Sequence, residues 1–157
     1  MTRHNDTITG YKVFDRKFVS KGHVFKDVGM VNEYNKELVP NENCFNFCTT
    51  LEDCFKYNPI ASDMVICEVS ASNYSDPKDG CTRRNCNTLT IIRQIPSDEV
   101  ATHIKDSFFA YQWALHVGNR DIMITHMNTL SYACFWVGTF GNRDVFIDRF
   151  PEINDVV

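Results

Sequence analysis

Seven cysteines are the side chains best able to do chemistry in this 157-residue chain. A deprotonated thiol is both a nucleophile and a soft-metal ligand. The spacings Cys44-x3-Cys48-x5-Cys54 and Cys81-x4-Cys86 lack the tight pairing of structural zinc sites, although four of these five could converge in space. Cysteine is also among the most buried residue types, and Cys54 and Cys134 sit inside apolar helical patterns. The reading is therefore that no metal is bound, and an odd count leaves no complete internal disulfide set, so the seven are taken as free thiols. Glu68 is a second candidate, a carboxylate on a strand face it shares with Met64, Ile66 and Ser70. Burial there would raise its pKa and demand partners, whereas a Glu on an exposed edge gives the same pattern. Asn119-Arg120-Asp121 and Asn142-Arg143-Asp144 form a third set, whose arginines would project from equivalent corners as a basic ridge for a phosphate or an acidic partner. In the structural alternative, which the repetition favours, each Arg holds the carbonyls that end one helix and each Asp caps the next. The five histidines show no metal or triad spacing, and no phosphate loop or nucleophile elbow is present.

These residues need elements to place them. With 43% hydrophobic and 23% charged residues the composition is that of a globular protein. No apolar run approaches the ~18 residues of a membrane span, and the Met1 to Asp6 stretch has no apolar signal core, so a cytoplasmic protein is expected. A net charge of −4 argues against broad binding of nucleic-acid backbones. The pattern changes near Pro96, giving a sheet-containing part over 1–96 and a helical part over 97–157 packed on it as one domain. Ile8–Phe14 alternates as a strand with Lys12 opposite Tyr11 and Val13; Val24–Tyr34 is extended and interrupted at Gly29. Asn43–Thr50 puts Phe45 and Phe47 on one face and Asn46 and Cys48 on the other. Thr49 and Thr50 offer a cap for a short helix Leu51–Tyr57, ended by Asn58-Pro59. Met64–Val69 and Thr88–Ile95 read as strands, with Asn73–Asn87 as a polar loop between them. The fold class expected is α+β, a small and mostly antiparallel sheet with a short helix, followed by helical hairpins.

Past Pro96 the sequence repeats with a period of 23. Ala110, Trp113, Ala114, Val117, Gly118, Asn119, Arg120, Asp121, Ile122 and Ile124 align with Ala133, Trp136, Val137, Phe140, Gly141, Asn142, Arg143, Asp144, Val145 and Ile147. Ala110, Trp113, Ala114 and Val117 fall on one helical face, and Gly118 supplies a left-handed stop. Asp121 and Asp144 are expected to cap the next short helices, and Ser107 and Ser131 the long ones. Two hairpins are too few to stand alone, since arrays need about three units.

The N-terminal part resembles an uncharacterised phage and prophage domain family through Gly10-Tyr11-Lys12-Val13-Phe14, Phe45-Asn46-Phe47-Cys48, and Leu51, Asp53, Cys54, Phe55 and Tyr57. The closing strand Thr88–Arg93, preceded by Glu68-Val69 and Gly80-Cys81-Thr82, belongs to the same resemblance. Where the family tends to have His this chain has Asn46, which cannot act as a base near pH 7. The helical units are similar to short phage repeats in which Ala-x-x-Tyr/Trp-Ala precedes Gly-x-Arg-Asp. The resemblance implies a phage or prophage accessory protein with no named reaction. The function expected is binding of a host or phage macromolecule, extending to countering a host defence, with Arg120, Arg143, Asn119, Asn142 and the 73–87 loop as contact surface and no cofactor. Two alternatives stay open. The sheet loosely resembles ADP-ribosyltransferase-like folds, with Glu68 as the acid and Asn46 or Arg16 touching the cofactor; and the protein could assemble on itself through its helical faces.

Overall fold

A computed structural model describes residues 3–20, 23–33, 45–77 and 80–156, except the side chain of His23. The chain falls into two compact units, residues 1–96 and 97–157. It is α+β: antiparallel strands occupy the first unit, and the helices lie mostly in the second.

In the first unit the alternating apolar stretches form β1 (Arg3–Phe14), β4 (Val31–Glu33), β5 (Phe45–Cys48), β6 (Val65–Ser75) and β7 (Arg83–Gln94), with a separate ribbon of β2 (Val19–Ser20) and β3 (His23–Val24). The sheet order is β4-β7-β5-β1-β6, and β6 pairs with β7 as well, so β1, β6, β7 and β5 close into a ring. Closure turns the alternate residues Cys67, Val69 and Ala71 of β6 and Leu89 and Ile91 of β7 inward onto Phe14, Phe25, Phe45 and Phe47. Phe25 stands 4.9 Å from Phe14 and 4.8 Å from Phe45 between ring centroids, an edge-on cluster of the kind that adds to simple area burial.

The ring closes where β5 crosses β1, through the pair Tyr11↔Cys48. Gly10 lies under that crossing. A Cβ there would sit 2.7 Å from the Cys48 carbonyl oxygen and 2.7 Å from the Phe47 ring, closer than packed atoms tolerate. Gly10→Ala is therefore expected to destabilise the fold by about 1–3 kcal/mol, read as a lowered urea midpoint; an unchanged midpoint would show that β5 can shift away freely.

Three sequence expectations are corrected. The Asn73–Asn87 stretch is mostly strand: β6 runs to Ser75 and β7 starts at Arg83, because Tyr74 pairs with His4 on one side and Cys86 on the other. Pairing on both edges satisfies the backbone whatever the polarity of the side chains. The Val24–Tyr34 stretch is interrupted at Gly29 (φ +85°) as expected, which separates β3 from β4; Tyr34 lies outside the described residues, as do Asn43 and Cys44. The short helix is a 3-10 helix over Leu51–Lys56, and Thr50 makes no side-chain cap. The residue that secures this helix is Asp53, whose carboxylate accepts from the Thr82 backbone N–H and hydroxyl at 2.8 Å each and pairs with Lys56 at 2.8 Å.

Burial pushes the Asp53 carboxyl up, but Lys56 and the two Thr82 hydrogen bonds outweigh it and hold its pKa below the ordinary value. A carboxyl whose pKa is lower folded than unfolded adds stability that is fully present above the unfolded value of about 3.9 and is lost as pH falls through the folded one. Asp53→Ala should cost about 2 kcal/mol at neutral pH, and acidification below about pH 4 should then lower the urea midpoint less than in the wild type. Equal acid sensitivity of the two proteins would show that Asp53 carries none of it.

In the second unit the period of 23 becomes geometry. Short helices at Ser97–His103 (α1), Arg120–Met123 (α3, continued by a 3-10 turn at Ile124–His126) and a 3-10 helix at Arg143–Phe146 alternate with Ser107–His116 (α2), Leu130–Phe140 (α4) and Ile153–Val156 (α5). Val100, Met123 and Phe146 recur at one register and are all buried, so α1 is a further copy of the short helix. α1 packs on α3, α2 on α4, and α4 on α5, the neighbour-on-neighbour stacking of a solenoid. The unit thus holds two short-then-long pairs, α1 with α2 and α3 with α4, followed by a third pair in which both the 3-10 helix and α5 are four residues long. Among the described residues no helix is long and apolar enough to cross a membrane.

The helix corners match expectation at the glycines and differ at the caps. Gly118 (φ 124°) and Gly141 (φ 83°) take positive φ at the stops as expected, and each is followed by a left-handed Asn, Asn119 (φ 56°, ψ 39°) and Asn142 (φ 64°, ψ 41°). Asn tolerates this conformation better than other residues with a Cβ. The long helices are capped by Asp106, which accepts from Phe108 and Phe109, and by Thr129, which accepts from Tyr132, rather than by Ser107 or Ser131. Asp121 and Asp144 lie within the first turns of their short helices and do not cap them.

Candidate functional site

A cavity of about 140 Å³ opens beside the crossing of β5 over β1. Three segments meet there: Tyr11 and Lys12 from β1, Asn46 and Cys48 from β5, and Cys54 with Tyr57 from the 3-10 helix and its end; Arg83 reaches in from β7. Lys12 follows the strand alternation that turns it away from Tyr11 and Val13, yet it is only 4% exposed. Its ammonium donates to the Asn46 carbonyl at 2.6 Å and to Asn46 Oδ1 at 3.2 Å, and lies within 5.7 Å of the Phe14 and Phe25 ring centroids. The Arg83 guanidinium stacks on Tyr57 at 4.5 Å. Two cations thus flank two thiols, and the described residues that line the cavity include no carboxylate, Asp53 standing close behind them.

The thiols differ. A hydrogen bond from the Cys54 thiol lowers the Cys48 pKa, with Arg83 and Lys12 adding to it, against burial and the nearby Asp53. Cys54 moves the other way, raised by the same hydrogen bond and by burial. Away from the cavity, burial alone pushes Cys67 up to about 12. None of the six described cysteines forms a disulfide, Cys44 lies outside the described residues, and no group of three or more metal-capable side chains occurs among those described.

Of the three residues assigned to a transferase-like site, Asn46 alone lines this cavity. Glu68 sits on β6, in register with Tyr11 and Arg93, and its carboxylate is engaged by Arg93 Nε at 3.4 Å. Arg16 is exposed in the turn after β1. The structure does not bring the three together. Lys12, Cys48, Cys54 and Arg83 do converge; from sequence Cys48 and Cys54 were weighed only as metal ligands, and Lys12 and Arg83 were given no chemical role. Three of the four belong to the motif that carries the family resemblance, and that was the available signal.

A second surface is built by the helical unit. The i, i+3, i+7 spacing places Phe108, Tyr111 and Leu115 on one side of α2, and Tyr132, Phe135 and Thr139 on one side of α4. Tyr132 and Tyr111 stand 6.3 and 6.2 Å from Phe135, and Tyr111 stands 6.3 Å from Phe140. The Arg120 guanidinium completes the strip by stacking on Phe140 at 4.2 Å. Phe135 is 60% exposed in the middle of it. Arg120 also joins Asp98, Asn119, Asp121 and Ile122 around a shallow depression at the corner. Asn119 is used internally: its Oδ1 accepts from Trp113 Nε1 at 2.8 Å and its Nδ2 donates to Asp98 at 2.7 Å. Arg143 and Asn142 stand exposed at the equivalent corner.

Comparison with known families matches residues 8–103 to a domain of unknown function, DUF7666. The chain belongs to that family. The match spans the sheet from the middle of β1 onward, includes every residue named around the cavity, and ends with α1. No curated protein and no solved structure matches the chain.

Proposed function

We propose that this is a phage or prophage accessory protein that acts by binding a host or phage protein, and that the strip Tyr132–Phe135–Tyr111–Phe140–Arg120 is its contact surface. The observation that carries the reading is Phe135, a large apolar ring 60% exposed between Tyr111 and Tyr132, in a strip that ends where Arg120 stacks on Phe140. Aromatic and Arg side chains dominate the energetic centres of protein interfaces, and contiguous exposed apolar surface is uncommon without a use. The repeat resemblance supports the phage assignment. Arg143 and Asn142 extend the surface along the next corner.

The transferase reading receives no support from the placement of Glu68, whose carboxylate is taken up by Arg93. Capture of partners from host lysate by the wild type and by a Phe135→Ala, Arg120→Ala variant tests the proposal. A stoichiometric protein retained by the first and lost by the second is the expected result. Equal recovery on both would move the contact surface elsewhere, and a concentration-dependent mass of the isolated wild type in light scattering, abolished in the variant, would make the strip a self-association face.

A further inference from the structure

The cavity beside β5 is not needed for the binding reading, and its chemistry is distinct. Cys48 and Cys54 both line it, with Lys12 and Arg83 as the cations of the same wall and Asp53 nearby opposing them. Reactive cysteines need an electropositive setting and a path to solvent, and Cys48, itself only 3% exposed, has that path through the cavity it lines. Cys67 and Cys86, at 0% exposure within the ring of strands, are sealed in the same unit. Cys54 has a choice of acceptor, because its sulfur is also 3.5 Å from the Tyr11 carbonyl oxygen.

We propose that Cys48 and Cys54 form a peroxide-reactive dithiol, with Cys48 as the attacking thiolate, Cys54 as the thiol that resolves it, and hydrogen peroxide or another small hydroperoxide as the oxidant admitted by the cavity. In the first step the Cys48 sulfur attacks a peroxide oxygen, forming an S–O bond as the O–O bond breaks. For hydrogen peroxide the leaving hydroxide takes a proton and departs as water, and Cys48 becomes a sulfenic acid. In the second step the Cys54 sulfur attacks the Cys48 sulfur, the S–O bond breaks, and the hydroxide leaves as water with the Cys54 proton. Two thiols are oxidised to one disulfide while one peroxide is reduced to two waters. The cations favour the first step by stabilising the thiolate. The Cys54 hydrogen bond keeps the resolving sulfur next to its target.

The test uses the reduced full chain. Rates of iodoacetamide labelling at each cysteine, resolved by peptide mass spectrometry across pH, should place the Cys48 midpoint below the ordinary thiol value of about 8.5, and Cys48 should label at least tenfold faster than Cys67 at pH 7. This comparison needs no variant. Equimolar hydrogen peroxide should then give a Cys48–Cys54 disulfide, and Cys54→Ser should halt at a Cys48 sulfenic acid trapped by dimedone. Labelling of Cys48 no faster than Cys67, or oxidation appearing first at Cys81 or Cys134 with Cys48 still reduced, would overturn the proposal.

Discussion

Trp113→Ala is expected to destabilise the helical unit by about 3–5 kcal/mol, the usual cost of removing a fully packed indole. Trp113 is 2% exposed between Ala110 and Ala114, and its N–H holds Asn119, which in turn holds Asp98. One side chain therefore secures a helix face, a left-handed corner and the preceding short helix. Trp136 fills the equivalent place at 1% exposure, but its indole N–H has no hydrogen-bond partner among the described residues. The conservative variants should consequently differ. Trp113→Phe removes a hydrogen bond and leaves Asn119 short of a donor, costing about 1 kcal/mol beyond the packing change, whereas Trp136→Phe removes a donor that was already unmet. Urea unfolding followed by helical circular dichroism reads both. A Trp113→Ala loss below about 1 kcal/mol, or equal losses for the two Phe variants, would contradict this account of the corners.

The second large effect concerns binding. Phe135→Ala should weaken the captured partner's affinity by about thirtyfold, since truncation of a central aromatic anchor commonly costs about 2 kcal/mol or more. Arg120→Ala should act in the same direction, because Arg120 both stacks on Phe140 and presents its charge at the corner. Neither side chain lies in the buried core, so the urea midpoint should move little. Titration calorimetry with the purified partner checks the fold-change, and a change below threefold for Phe135→Ala would remove it from the contact.

The repeat was legible in sequence because identity at Ala, Trp, Gly, Asn, Arg and Asp marks geometry that few other residues supply. Its extra copy was not. α1 shares Asp98 with Asp121 and Asp144, and Thr102 and His103 only with Thr125 and His126, while its core positions keep apolar character without identity, as in Val100, Met123 and Phe146; packing tolerates that exchange once volume is roughly kept. The polar ends of β6 and β7 were read as loop because Asn73, Ser75, Arg83 and Asn85 have low strand propensity, and that preference is overridden by hydrogen bonding to β1 and β5. The cavity was beyond reach for another reason. Its residues come from four elements, and only closure of the ring through Tyr11↔Cys48 shows that Lys12, Cys48, Cys54 and Arg83 share one wall. Glu68 illustrates the converse: a carboxylate on an apolar strand face is a fair candidate acid until the register puts Arg93 opposite it.

Amide hydrogen exchange of the chain with and without its captured partner tests the central claim most directly. Binding through the aromatic strip should slow exchange over α2, α4 and the Asn119 to Ile122 corner, with the sheet unit unchanged. Protection confined to residues 76–82 or to the sheet strands, with α2 and α4 exchanging as before, would contradict it.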